Sequence, residues 1–515
     1  MIRDLIKKEI EKAVNKIYPE RSRGIDTYAD GKFGDYSSNI ALAIGGNPRE
    51  NAEKIKEKLS ELKLFSVSVA GQGFLNFSLT EKGLVEGLKS LSAKPKKQNK
   101  KVQIEFISAN PTGELHIGHG RSAFYGDALA NVLSAAGYKV EREYFINDSK
   151  ESTQIKELGK TALGKGETYL TDNLKYKISK LKNRIKKIKD DGEAGFLLAK
   201  EIQKDNEKFI KSAKGGLGIK FDKWFSEEKE LRAKKVFEKT LELLKKKKLA
   251  YEKDGALWLK TSQFGDEEDK VILRSDGSVS YFLSDIAYHA DKFKRKYNKV
   301  IDIWGADHHG HVKRMMIAKE MLKLNGDLEI LISQLVTLKK GEELQKLSKR
   351  KGNIVLLKDL VDDLGLDVVR WFYLQKSLST HMEFDLDLAK EQSAKNPVFY
   401  VQYACARMHS ILAKSQVPIS NFQINSKLQF SKPIRNLIVK LIQFPEIIED
   451  TAKDYQVHRL TTYAYELANE FSQFYRDVKV IGSENEKELV ALVALTRNTL
   501  AKTLNLLGIS APEKM

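Results

Sequence analysis

Only one cysteine, Cys405, stands among the 515 residues, which excludes an internal disulfide and any zinc site built from several thiolates. A reducing compartment is therefore expected, the cytoplasm being the natural one. No apolar run approaches the ~18 residues needed to cross a bilayer, so no membrane span is expected. Internal repeats and low-complexity segments are lacking too. The opening MIRDLIKKEIEKAVNKIY carries Asp4, Glu9 and Glu11, acids that a transit peptide avoids, among apolar residues at helical spacing. An ordinary amphipathic first helix is predicted.

What the chain has is length and positive charge. At 515 residues it exceeds what one hydrophobic core usually serves, so two to four domains are expected, and 41% apolar with 31% charged residues is the composition of a soluble globular protein. The formal charge of +19 suits a polyanion partner such as RNA. Lysines scattered over solvated helix faces account for the same excess equally well.

Residues 1–92 combine helical patterns, the segment GKFGDYSSNIALAI, a helix start at Asn47 and Pro48, and the alternating FSVSVAGQGFLNFSL. They read as a small α/β module, followed by a basic, proline-containing linker over 93–100. From Lys101 the order is strand (VQIEFIS), turn (ANPTGEL), long helix to Ala136 stopped by Gly137, and strand (VEREYFI), the unit of a parallel sheet with ligands at its carboxyl edge. VIDIWGAD and LEILISQLV supply further strands. Residues 151 to about 260 read as a helical insertion, with Leu174, Ile178, Leu181, Ile185 and Ile188 at helical spacing and lysines on the other face. The expected fold is thus multidomain α/β: a Rossmann-like parallel-sheet core over 101–390, the small N-terminal domain, and an all-α bundle over 391–515.

Two segments carry chemistry. His116-Ile117-Gly118-His119 lies where the first strand's loop enters the helix, so two imidazoles join orphan N–H groups and a positive dipole end that favour phosphate. Gly118 and Gly120 are expected to let a nucleotide approach the backbone. Far downstream, KLSKRKGN sets Lys346 and Lys349 among four cations ending in a turn signal, a loop over 346–350 suited to neutralising β and γ phosphates. Each motif alone has a bland reading, a chance His pair or a solvated basic surface. Their order makes them informative together.

HIGH followed by KLSKR resembles the paired signature of class I aminoacyl-tRNA synthetases. IEFISANPTGELHIGHGRSAFYGDALANVL, YFLSDIAYHADKF, WGADHHGH, FDLDLAKEQSAKNPVFYVQYACAR and LLGISAPEKM each resemble the bacterial-type arginyl-tRNA synthetases, as do GDYSSNIALAI and GQGFLNF near the N-terminus. The stretch after Ile44 is shortened, and residues 171–189 match only loosely. The resemblance implies ATP-dependent activation of L-arginine to arginyl-adenylate and transfer to the terminal adenosine of tRNA(Arg), releasing pyrophosphate and AMP. His116, His119, Lys346 and Lys349 would be the catalytic residues, with Gly118, Gly120 and Asp307 also at ATP. Glu105, Asp285 and Tyr281 would surround the guanidinium, whose five donors call for acceptors set around a plane. Ser108 and Asn110 would hold the α-amino and carboxylate end, and His309 would lie near the amino acid. For Glu105 and Asp285 a structural salt bridge is the alternative. Tyr400 and Tyr403, one turn apart, would stack on anticodon bases, with helix packing the other reading. Mg²⁺ is expected with ATP, and neither zinc nor any other metal site. His308, His309 and His311 crowd one loop as metal ligands do, but the family comparison assigns that loop to substrate. The expected partners are tRNA(Arg), L-arginine and ATP, without a membrane, for a chain acting as a monomer.

Three rivals remain. The 227 positions from His119 to Lys346 leave no room for the editing insertion of valine, isoleucine or leucine enzymes. A small nucleotidyltransferase with HxGH would need neither flanking domain. A synthetase-like RNA-binding protein without catalysis would not need both motifs intact.

Overall fold

Strands Asp327–Ser333, Lys299–Gly305, Lys101–Glu105, Lys139–Ile146 and Lys223–Ser226 lie side by side in that order, every neighbouring pair parallel. The central strand is buried from Val102 to Glu105, as a parallel strand covered on both faces should be. In sequence the sheet grows from Lys101–Glu105 to one side, then returns to add Lys299–Gly305 on the other. Such a reversal is where open α/β sheets bind ligands, here at the carboxyl ends of these two strands, with Asp302 in register beside Glu105.

The computed structural model describes residues 1–19, 27–29, 33–60, 63–91, 95–341, 343–345, 355–415, 417 and 429–515. They divide into two compact units, Lys97–Glu391 and Met1–Lys96 joined with Gln392–Met515.

In the first unit the helix Ile117–Ala135 is buried nearly all round, which its apolar and small residues permit. Gly126 lets it close on the strand end: a Cβ there would stand 2.3 Å from the Phe106 ring. The stretch 151–260 departs from its reading as a helical insertion. Helices Thr153–Ala162, Asp172–Lys180, Lys182–Ile185 and Asp191–Lys211 do enclose an apolar cluster containing Leu174, Leu181 and Ile185, with Ile178 and Ile188 packed against it. Beyond them, however, the chain supplies the edge strand Lys223–Ser226 and two strands, Ala250–Lys253 and Ala256–Leu259, of an antiparallel sheet completed by Lys270–Leu273. Four residues, KWFS, were too few to show alternation among so many lysines.

The second unit joins the first and last segments of the chain. Its antiparallel sheet runs Thr27–Ala29, Tyr36–Ser38, Phe74–Leu79, Phe65–Ala70, and the helix Pro48–Leu59 starts where expected, Asn47 accepting from the amides of Arg49 and Glu50. Against this module pack the helices Lys432–Ile442 and Phe444–Asp454. Arg3 bonds Asp450 at 2.5 Å and Glu449 at 2.9 Å, and its backbone N–H donates to Glu446 at 3.0 Å. Asp35 pairs with Arg435. The sequence reading takes the two segments as separate domains; these contacts, 400 or more positions apart in the chain, bring them into one compact unit.

Candidate active site

The HIGH turn caps its own helix. His116 is the N-cap, its Nδ1 accepting from the Gly118 amide at 3.1 Å, while His119 Nδ1 accepts from the His116 amide at 3.1 Å. The two imidazoles thus take the reciprocal roles of a capping box. Because each Nδ1 accepts, the ring proton of each neutral imidazole sits on Nε2, which becomes a donor. The rings stack with centroids 3.7 Å apart. A Cβ on Gly118 would meet the His116 ring at 2.9 Å, so this glycine lets the imidazole fold over the first turn. Gly120 differs from its sequence reading. Its missing Cβ makes room for Tyr373, 2.9 Å away, and Leu357, 3.0 Å away, so packing rather than nucleotide approach demands the glycine here.

The segment just beyond the cationic loop is fastened to this turn. Ile117 N–H donates to the Val355 carbonyl at 3.1 Å and Leu357 N–H to the Leu115 carbonyl at 2.9 Å, with His116 and Leu356 paired as an antiparallel bridge. Tyr373 Oη donates to the Ile117 carbonyl at 2.7 Å. Arg121, fully buried, donates to the carbonyls of Tyr373 at 3.0 Å and Thr380 at 3.1 Å and to that of Ser377. The chain past the cationic octapeptide therefore returns to the HIGH turn. Lys346 and Lys349 themselves lie outside the described residues.

At the central strand's end the backbone takes an uncommon course. Ile107 has φ 66° and Ser108 φ 40°, the left-handed region that a β-branched residue rarely adopts. Ser108 Oγ donates to Glu105 at 2.8 Å and accepts from the Phe145 amide at 3.1 Å, and the Ala109 amide donates to Tyr144 Oη at 3.1 Å. Strain of this kind persists where neighbours over-determine it, and it gathers at functional sites. Asn110 follows, exposed, accepting from Asn147 at 3.2 Å.

Glu105 is buried, and its cation is already present. Lys292 Nζ, fully buried, lies 2.5 Å from Glu105 and 2.6 Å from Asp302. The expectation of Glu105 as an open acceptor for a guanidinium is thereby corrected toward the salt-bridge alternative. Asp302 also bonds His289 Nε2 at 2.7 Å, and His289 Nδ1 faces the Asp285 carbonyl at 2.7 Å. Burial opposes ionisation of Asp302, but Lys292 and His289 hold its carboxyl down at about 2. Burial pushes Glu105 up despite Lys292, and the Asp302 charge adds to that.

Asp285 lies one turn into the helix Tyr281–Lys294, half-buried, with Oδ2 2.7 Å from His311 Nε2. Tyr281 opens that helix, 54% exposed. Asp307, His308 and His309 are exposed after the strand Lys299–Gly305. The imidazole brought to Asp285 is thus His311, which sequence reasoning left among the loop histidines. It also missed Glu227, buried, accepting from Ser284 Oγ at 3.1 Å. Burial pushes Glu227 up to about 7 against the pull of Arg232, with Asp285 and Asp148 nearby adding to the rise. Among the described residues no cluster of His, Cys, Asp or Glu is arranged to hold a metal ion.

In the other unit, Tyr400 donates to Ser472 at 3.1 Å and packs at 5.2 Å from Tyr465. Tyr403 is 44% exposed, and the Arg407 guanidinium stands 5.0 Å from its ring and 4.7 Å from that of Tyr475. Tyr465, Tyr475 and Arg407 lie beside Tyr400 and Tyr403, the two tyrosines that the sequence reading names.

Three family models match in succession: the arginyl tRNA synthetase N-terminal domain over 1–79, the catalytic domain of class I (R) tRNA synthetases over 82–371, and the DALR anticodon binding domain over 401–515. The arginine–tRNA ligase of Bacillus subtilis is 38% identical, with 100% of this chain and 99% of the relative covered. That of Carboxydothermus hydrogenoformans is 38% identical over 94% of this chain and 92% of its own. The solved arginyl-tRNA synthetase of Thermus thermophilus shares the fold at TM-score 0.80 and 22% identity, all of both chains being covered. The strand order, the HIGH turn and these full-length similarities agree: the chain belongs to the arginyl-tRNA synthetases of class I.

Proposed function

We propose that this chain activates L-arginine with Mg²⁺–ATP and transfers it to tRNA(Arg) in the cytoplasm, acting as a monomer. The observation that carries the reading is the junction of Leu115–Ile117 with Val355–Leu357 at the switch point of the parallel sheet. It sets the HIGH imidazoles and the segment following KLSKR on one edge.

In the first step the arginine carboxylate oxygen attacks the ATP α-phosphorus and the bond to pyrophosphate breaks. His116 and His119 donate through Nε2 to phosphate oxygens, while Lys346 and Lys349 follow the leaving pyrophosphate. Gly118 and Gly120 line this turn beside ATP, each for the packing reason given above, and Asp307 takes the ribose. Asp285, flanked by Tyr281, accepts from the guanidinium. Glu105 stands behind them and acts through Ser108, which with Asn110 and His309 holds the amino acid's other end. In the second step a hydroxyl of the tRNA terminal ribose attacks the adenylate carbonyl and AMP leaves. Catalysis is positioning and electrostatics, with no protein nucleophile.

We also assign 1–92 and 391–515 to tRNA contact, with Tyr400 and Tyr403 at the anticodon, and 101–390 to chemistry. The exposed Tyr403 is the better placed of the pair for stacking on an unpaired base. ATP–pyrophosphate exchange tests the reading: with tRNA supplied it should depend on arginine and not on lysine. Exchange supported by another amino acid, or by none, would overturn it.

A further inference from the structure

We propose that Lys292 is a positioning residue for the amino acid: its ammonium fixes the Glu105 carboxylate and thereby the left-handed turn that presents Ser108 and Asn110 to arginine. The inference rests on the placement of the amino acid proposed above.

A lysine is almost never fully buried unless paired, and Lys292 is wholly enclosed. It sits on the helix that carries Asp285, seven residues further on, so about 10 Å along the axis. Two carboxylates from neighbouring, in-register strands converge on it, Glu105 at 2.5 Å and Asp302 at 2.6 Å. The ring of Tyr288 lies under the ammonium at 4.4 Å, and Tyr288 Oη is itself tied to Glu143 at 2.7 Å. Each carboxylate then hands on the constraint. Asp302 holds His289, whose other nitrogen meets the Asp285 carbonyl. Glu105 holds Ser108 Oγ at 2.8 Å, and that hydroxyl fixes a residue at φ 40° next to Ile107 at φ 66°.

Without the ammonium, Glu105 and Asp302 face one another as buried like charges. Glu105 must then take up a proton or turn away, and Ser108 loses the acceptor that holds its disfavoured backbone. The ATP side is fastened separately, through Val355, Leu115 and Tyr373. Loss of Lys292 should therefore be felt by arginine and not by ATP. A buried pair serving only stability would move both substrates together or neither.

The experiment uses the full chain with tRNA present and measures arginine-dependent ATP–pyrophosphate exchange for Lys292→Met, Lys292→Arg and the double variant Lys292→Met with Asp302→Asn, which leaves Glu105 in place. Lys292→Met should raise the arginine KM by about tenfold or more with the ATP KM within about twofold, and Lys292→Arg should restore part of the loss. The double variant removes one of the facing carboxylates. It should regain thermal stability while keeping the high arginine KM, and so carries the same reading if the single variant is insoluble. An arginine KM equal to wild type in Lys292→Met, or in the double variant if the single one does not fold, or equal rises for arginine and ATP, would overturn the proposal. Failure of the underlying reading looks different: wild-type enzyme would show no arginine-dependent exchange.

Discussion

Glu446 makes the unit formed by the first and last segments sensitive to pH. Its side chain is 2% exposed, accepting from the Arg3 amide at 3.0 Å and from Tyr36 Oη at 3.2 Å. Burial pushes its carboxyl up to about 7, against the attraction of Arg3. In the unfolded chain it titrates near the ordinary 4.5. Below that value both states hold the proton and the group contributes nothing to pH dependence. As pH rises toward 7 the unfolded chain releases its proton while the folded chain keeps it, so stability falls. Above about 7 the full difference applies, about 3 kcal/mol.

Glu446→Gln keeps an oxygen for Arg3 and Tyr36 and removes the titration. At pH 4 the variant should nearly match wild type; at pH 8 it should exceed it by up to about 3 kcal/mol. The assay can separate the two units because all four tryptophans, Trp224, Trp258, Trp304 and Trp371, lie in Lys97–Glu391. Their fluorescence follows that unit, whereas far-ultraviolet circular dichroism follows the helices of both, so a change seen by dichroism and not by fluorescence belongs to the other unit. The two probes need not share one two-state transition. The substitution should change the pH dependence of the dichroism transition and leave the tryptophan transition alone. Identical pH profiles for variant and wild type by dichroism would refute the burial argument.

Three further outcomes are expected. Gly120→Ala should cost about 1–3 kcal/mol in tryptophan-monitored unfolding while changing the ATP KM little, since its Cβ would strike Tyr373 and Leu357; the reverse pattern would restore the nucleotide-approach reading. Asp285→Asn places a donor against guanidinium donors and should lower arginine kcat/KM by about a hundredfold or more with ATP affinity nearly unchanged, and a wild-type arginine response would remove Asp285 from the pocket. Because Glu227 is held near 7 beside Asp285, arginine KM should fall as pH rises through about 7 and Glu227 gains its charge; Glu227→Gln should flatten that profile, and an unaltered one would exclude Glu227 from substrate binding.

Much of this architecture was legible because it rests on local signals. VQIEFIS and VIDIWGAD alternate or run apolar as strands do, Asn47-Pro48 is a cap with its first-turn proline, and Gly137 ends the long helix with φ 94°. The edge strand Lys223–Ser226 and the union of the terminal segments were not legible, since one is four residues long and the other depends on Arg3 meeting Glu446, Glu449 and Asp450 across the chain. The same division runs through the site. The HIGH histidines announce themselves by position between strand and helix. Lys292 does not: among the lysines of KFKRK and its neighbours it reads as one more solvated cation, and only the sheet's register places two carboxylates on it.

The two ends of the site are held by different forces, and this sets what each will tolerate. At the proposed ATP end the HIGH turn is fastened to Val355–Leu357 by main-chain hydrogen bonds, Ile117 to Val355 and Leu357 to Leu115. Such bonds ask only for an amide and a carbonyl, so side chains at 355 and 356 are free to vary within packing limits. At the proposed amino acid end the turn from Glu105 to Asn110 hangs on an ionic chain, Ser108 to Glu105 to Lys292 to Asp302 to His289, with every link a specific side chain in low dielectric. Removing one member there leaves a buried charge without its partner, far costlier than losing an exposed contact. The lysine that the sequence hides among its many surface cations is therefore one whose replacement the fold absorbs poorly.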